Sequence, residues 1–154
     1  MASSATKTIE DDAIRLLARR EYSRAELAGR LAAKGHDSRE VHECLDDLAA
    51  RDLQSDARFA QSFLRSRLSR GQGALKIRGE LQQRGVDREL IGDTLVNTDV
   101  DWFAIACDTL ARRFDSPGDT PRERARRERF LAGRGFDFEQ VRHALSHAWE
   151  ECDD

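Results

Sequence analysis

His143 and His147 stand four residues apart, and Glu139 lies four residues before the first of them. On a helix this spacing brings two imidazoles and a carboxylate to one face, the start of a divalent-cation site. No H-E-x-x-H pattern or further ligand cluster accompanies them, so the pair reads as two surface histidines. His36, in a loop, and His42, on a polar face, read the same way. No Ser or Cys sits in a recognisable nucleophile motif. Gly71-Gln72-Gly73 lacks the rest of any phosphate-binding fingerprint and reads as an interhelical turn. The acidic pairs Asp46-Asp47 and Glu150-Glu151 read as solvated faces rather than acid–base dyads. Cys44, Cys107 and Cys152 are odd in number and widely spaced, which favours neither a disulfide framework nor a zinc site. The sequence predicts no catalytic site, no metal and no cofactor, and hence no enzyme.

The basic residues carry more information. Residues 57–85 hold seven basic side chains and one acidic, and residues 112–134 hold eight and four. The flanking stretches 8–56, 86–101 and 135–154 are net acidic, so the overall charge is only -3. A simple nucleic-acid binder is usually basic throughout. Alternating stripes suit a partner that itself carries both signs. Arg58 and Arg65 fall on one side of a helix, opposite Phe59 and Phe63, and Arg67 and Arg70 follow. Lys76, Arg78 and Arg84 come on the next helix. Arginine suits a meeting with phosphate or carboxylate, but Arg58 or Arg78 could equally pair with Glu80 or a neighbouring acid. A second group, Arg122, Arg124, Arg126, Arg127 and Arg129, follows a Pro-containing loop, and part of it must snorkel along the core side. Trp102 and Trp149 sit among apolar helix positions and read as packing anchors.

The elements that position these residues follow from composition and periodicity. The chain has 154 residues, of which 36% are charged and 39% hydrophobic. Such a chain buries thin cores. Its only prolines are Pro117 and Pro121. Together with abundant Arg, Ala, Leu and Glu, this predicts an all-α protein. No apolar run approaches the roughly 18 residues of a membrane span. The polar N-terminus has no secretory h-region, so a cytoplasmic location is expected.

An internal repeat organises the chain. Lys34-Gly35-His36-Asp37, Arg84-Gly85-Val86-Asp87 and Arg134-Gly135-Phe136-Asp137 share the order basic-Gly-x-Asp at intervals of 50 residues. Leu31, Leu81 and Leu131 precede the glycines by four. Val41, Ile91 and Val141 follow them by six, and Leu45, Leu95 and Leu145 by ten. In each unit a helix ends at the glycine, which takes a left-handed C′ conformation cheaply. The Asp two residues on is a candidate N-cap for the next helix, and Glu40 and Gln140 complete capping-box patterns. Ser23 to Glu26 and Thr120-Pro121 mark the starts of middle helices. One further helix precedes each pair: Asp12–Arg20 with Ile14, Leu16 and Leu17 apolar, Ala57–Arg70, and Trp102–Phe114 with Phe103, Ala106 and Leu110.

The prediction is three tandem repeats of a three-helix motif, each too small for a core of its own, in an elongated, curved helical array. The expected divisions are a disordered N-terminus at 1–9 and repeats at 10–54, 55–99 and 100–151.

Leu53-Gln54-Ser55-Asp56-Ala57-Arg58-Phe59-Ala60, then Phe63 and Arg67, then Gly71 to Leu81 with Lys76-Ile77 and Glu80-Leu81, then Arg84-Gly85-Val86, resembles the signature of RecX proteins. Arg129-Phe130-Leu131 with Arg134-Gly135-Phe136 is similar to that family's R-F-L-x-x-R-G-(F/Y). The likeness spans roughly residues 10–150. Gln54 stands near where many members carry an acid, and Ala74 where proline is frequent. The resemblance implies three repeats of a three-helix motif in a cytoplasmic bacterial regulator of the RecA recombinase. It also implies binding to the RecA filament on single-stranded DNA, with inhibition of ATP hydrolysis, strand exchange and co-protease activity. On that reading the filament contacts are sought at Arg58, Arg65, Arg67, Arg70, Lys76, Arg78, Arg84, Arg122, Arg126 and Arg129, and the protein is a monomer. The rival is a direct DNA-binding protein with helix-turn-helix-like units. Net acidity and the lack of an obvious recognition helix stand against it.

Overall fold

The computed structural model describes residues 4–150. Among them the helices are α1 (Ser4–Leu17), α2 (Arg24–Ala33), α3 (Ser38–Ala50), α4 (Asp56–Ser69), α5 (Ala74–Gln83), α6 (Arg88–Val96), α7 (Trp102–Arg113), α8 (Pro121–Gly133) and α9 (Phe138–His147). No strand occurs among the described residues. The all-α tandem arrangement of three-helix repeats is therefore as the sequence predicts.

The helix ends form where their chemistry places them. Ser23 accepts from the Glu26 N–H at 3.1 Å, and the Glu26 carboxylate accepts from the Ser23 N–H at 3.1 Å. Asp137 and Gln140 make the same reciprocal pair. Asp37 caps the Glu40 N–H at 3.2 Å. Thr120 caps the Glu123 N–H, while Glu123 itself reaches back past the cap to the N–H of Asp119. Gly35, Gly85 and Gly135 follow their helices with φ of 89°, 80° and 99°, the conformation in which an L side chain is strained.

The first helix differs from the expectation. It runs Ser4–Leu17 rather than Asp12–Arg20, so residues 4–9 are helical and not disordered. Ile9 and Ala13 are fully buried, whereas Ile14 is 40% exposed. The buried stripe is Ile9, Ala13, Leu16 and Leu17, at helical spacing. Polar residues before Ile9 hide its first turns from a periodicity reading. Met1–Ser3 and residues 151–154 lie outside the described residues, and with them the readings made for Glu151 and Cys152.

The chain divides into two compact units that do not follow the repeat boundaries. One comprises the residues through Phe63 together with Leu81–Val96; the other comprises Leu64–Glu80 and the residues from Asn97 on. In the first unit, Ile9, Ala13, Tyr22, Leu27, Leu31, Val41, Cys44, Leu45 and Leu48 form one core. In the second, Ala106, Leu110, Leu131, Phe136, Val141 and Ala144 do so, with Phe114, Phe130 and Trp149 packed against them. Trp149 anchors that core through its indole N–H, which donates to the Phe114 carbonyl at 2.9 Å. Phe103 departs from its expected core role. It is 39% exposed and packs edge-on to the His143 ring, centroids 5.1 Å apart. Burial pushes the thiols of Cys44 and Cys107 above their ordinary pKa, consistent with packing residues rather than nucleophiles.

Candidate functional site

A joint between repeats recurs inside each unit. In the first, the Ser23 hydroxyl donates to the Arg84 carbonyl at 2.7 Å while capping α2. A Cβ at Gly85 would lie 2.4 Å from the Cβ of Ala25. In the second unit the Gly73 N–H donates to the Arg134 carbonyl at 2.8 Å, and the Leu75 N–H to the Gly135 carbonyl at 3.0 Å. A Cβ at Gly135 would lie 2.4 Å from the Cβ of Lys76. The basic-Gly helix end of one repeat thus docks on the middle-helix start of the preceding repeat. In both joints a carbonyl at a helix end finds a donor at a helix start: the Ser23 hydroxyl in the first, the Gly73 and Leu75 N–H groups in the second. Gly71-Gln72-Gly73 is therefore more than the interhelical turn expected: Gly73 donates the N–H on which the Arg134 carbonyl docks.

Several of the sequence-derived arginines serve the fold. The Arg58 Nε lies 2.8 Å from Glu21 Oε1, and its Nη1 donates to the Asp52 carbonyl at 2.9 Å. Asp52, a non-glycine residue with positive φ at 58°, is held by that bond and by an ion pair of 3.3 Å. Arg67 pairs with Glu80 at 3.0 Å, both side chains largely buried. Arg84 approaches Glu26 at 3.9 Å and lies over the Phe63 ring, 4.7 Å from its centroid. A neighbouring acid, Asp52, does pair with Arg58 as foreseen, but the closer partner is Glu21, 37 residues away. Gln54 is 4% exposed and donates to Asp56 at 2.9 Å, and Asp56 in turn accepts from the Arg24 N–H at 2.8 Å. The Gln54 amide thus bridges the Tyr22 carbonyl, at 3.3 Å, and Asp56.

Other arginines face outward. Arg65 and Arg78 are exposed, as are Arg122, Arg126 and Arg129 on α8, and Lys76 is half-buried. None of these six has a carboxylate within 4.0 Å among the described residues. Arg126 and Arg127 approach the Phe114 ring at 5.9 and 4.5 Å, and Arg127 also donates to the Ser116 carbonyl at 2.7 Å. That stacking is the snorkelling expected of the α8 group. His143 and His147 stack with ring centroids 4.4 Å apart, and His147 Nδ1 lies 2.8 Å from Glu150.

Sequence reasoning singled out Arg70 as a contact but missed the group it joins. Arg70 after α4, Arg112 and Arg113 at the end of α7, and Arg134 after α8 line one cavity of about 410 Å³ with Thr109 and Phe130. Their common signal was a basic residue at each helix end, which reads as an answer to the helix dipole.

Comparison with known proteins accounts for the arrangement. The RecX first, second and third three-helix domains match residues 11–48, 55–95 and 99–145. The regulatory protein RecX of Chromohalobacter salexigens is 64% identical over 148 residues, 96% of this chain and 97% of that protein. That of Halorhodospira halophila is 46% identical over 152 residues, 97% of this chain and 94% of the relative. The crystal structure of RecX from Lactobacillus salivarius has the same fold, with a TM-score of 0.80 at 18% identity, covering 96% of this chain and 98% of that one. With all three domains present in order and near-complete coverage of its relatives, the chain belongs to the RecX family of regulatory proteins.

Proposed function

We propose that this protein binds the RecA filament on single-stranded DNA and inhibits its ATPase, strand-exchange and co-protease activities. It would thereby tune homologous recombination, DNA repair and the SOS response. The observation that carries the reading is the exposed, acid-free pair Arg65 and Arg78, lying in the stretch that bears the family signature. A guanidinium already paired inside the fold has little left to offer a partner, whereas an unpaired exposed one is free to meet filament phosphate or carboxylate. Arg58, Arg67 and Arg84 accordingly drop to a supporting role. Arg122, Arg126 and Arg129 join Arg65, Lys76 and Arg78 as the contact set. The protein acts by occupancy and not catalysis, as a cytoplasmic monomer. No helix among the described residues is long and apolar enough to cross a membrane.

The test is a titration of RecA ATPase on single-stranded DNA at two salt concentrations. The variant Arg65→Gln/Lys76→Gln/Arg78→Gln should need about tenfold more protein for half-inhibition, since exposed pairs contribute roughly 0.2–1 kcal/mol each. The deficit should narrow as salt rises. Inhibition equal to the parent at both salts would refute the contact set. Equal affinity for bare single-stranded DNA and for the filament would favour the direct DNA-binding reading instead.

A further inference from the structure

The cavity lined by Arg70, Arg112, Arg113 and Arg134 has no acidic residue in its wall. None of the four guanidinium groups lies within 4.0 Å of a carboxylate among the described residues. Four cations on one concave surface repel one another, and low-dielectric walls sharpen the field they share. The ends of α4, α7 and α8 offset part of this with their carbonyl dipoles. That explanation covers Arg112 and Arg113, which lie in the last turn of α7. It does not cover Arg134, whose Nε is buried and has no hydrogen-bond partner. A buried guanidinium N–H without an acceptor is costly and marks a place where an acceptor belongs.

The wall is also rigid. The Arg134 carbonyl is held by the Gly73 N–H at 2.8 Å. The Gly71 carbonyl accepts a long bond from Thr109 at 3.4 Å, and a Cβ at Gly71 would lie 2.7 Å from Thr109 Oγ1. The Arg134 guanidinium lies 5.6 Å from the Phe130 centroid, and that of Arg113 lies 4.9 Å from Phe114. Stacked guanidinium planes present their N–H edges in fixed directions. Fixed donor edges with excess positive charge and an aromatic wall match a phosphate, whose oxygens accept from several forks at once.

We propose that this cavity binds a phosphoryl group of more than one negative charge, supplied by a nucleic-acid backbone or by a free polyphosphate. The inference adds a phosphate site to the filament reading but does not depend on it. Its test uses the full chain without the recombinase, so the two readings fail separately. Labelled oligothymidylate and inorganic tripolyphosphate are titrated against the parent and two double variants, Arg112→Gln/Arg134→Gln and Arg70→Gln/Arg113→Gln. The second removes only exposed side chains and keeps the test valid if loss of Arg134 perturbs the fold, which melting curves report. A variant of equal charge change elsewhere, Arg19→Gln/Arg30→Gln, controls for net charge.

Each cavity variant should bind its ligand at least tenfold more weakly than the control variant does. The slope of log affinity against log salt should fall by about one to two. Loss confined to oligothymidylate identifies the backbone as the source; loss confined to tripolyphosphate, with its thermal shift, identifies the free anion. The proposal is overturned if neither ligand separates the cavity variants from the control. It is equally overturned if a poly-glutamate peptide binds the parent as tightly as either phosphate ligand and loses as much, because the cavity then recognises carboxylate.

Discussion

Gly73 and Gly135 meet backbone to backbone: a Cβ built on Gly73 would lie 2.4 Å from both the carbonyl carbon and the carbonyl oxygen of Gly135. The Gly73 N–H meanwhile donates to the carbonyl of Arg134, the residue beside it. Neither backbone segment can withdraw without breaking that bond and the one from Leu75. Gly73→Ala should therefore destabilise by about 1–3 kcal/mol, the range for overpacking a close contact. Gly79→Ala, in the body of α5 with nothing within 4 Å, should instead stabilise by about 0.5–1 kcal/mol. Chemical denaturation of the two variants checks both signs. Equal midpoints would mean that the joint yields freely.

Gly35 and Gly85 separate two reasons for a glycine. Both have positive φ, 89° and 80°, but only Gly85 is crowded, by Ala25. Gly35→Ala should cost about 1 kcal/mol for the left-handed backbone alone. Gly85→Ala should cost about 1–3 kcal/mol more, from the added contact, and Gly85→Val should exceed both while Gln83→Ala stays near the parent. Thermal melts of the four variants give the ranking. If Gly35→Ala and Gly85→Ala match, the contact with Ala25 contributes nothing.

Asp12 supplies a pH dependence. Its carboxylate lies 2.8 Å from the His36 Nε2 and 3.4 Å from the Lys34 Nζ. The hydrogen bond from His36, aided by Lys34 and opposed by partial desolvation, holds its pKa below the ordinary aspartate value. A depressed carboxylate pKa means that the unfolded chain binds the proton first. The stabilisation is complete above the ordinary value of about 3.9 and is lost as pH falls through the lower folded value. Asp12→Asn should flatten the acid limb of the stability curve over that window and leave the neutral plateau lower than the parent's. Superimposable acid limbs would show that the pair is not coupled to folding.

What the sequence disclosed was local. The glycines, the capping residues Ser23, Asp37, Thr120 and Asp137, and the spaced leucines all act within one or two helical turns, so their pattern carries its own meaning. The start of α1 was hidden because Ser4, Thr6, Lys7 and Thr8 are polar, so no run of apolar periodicity announces the helix before Ile9. The joint was hidden because Gly73 and Arg134 are 61 residues apart, and no periodicity says which helix end meets which start. The same distance problem governs the arginines. Arg58 has the type and position of a surface contact, and only the fold brings Glu21 to it. Conversely, nothing local joins Arg112 to Arg134; only the fold brings the ends of α4, α7 and α8 to one cavity.

The joint between repeats also has a polarity. Each repeat offers a plug, the basic-Gly helix end, and a socket, the start of its middle helix. Sockets at Ser23 and Gly73 are filled by plugs at Arg84-Gly85 and Arg134-Gly135. At the first plug a Cβ on Gly35 would meet nothing within 4 Å, and the last socket, at Thr120, is exposed. The first two plug–socket pairs keep the 50-residue period, and the third socket, at Thr120, comes 47 residues after Gly73. Any in-frame duplication of one period therefore copies both halves of the joint in step. In evolutionary terms such a chain can lengthen or shorten by whole repeats without inventing a new interface, provided the glycine of every plug that enters a socket is kept.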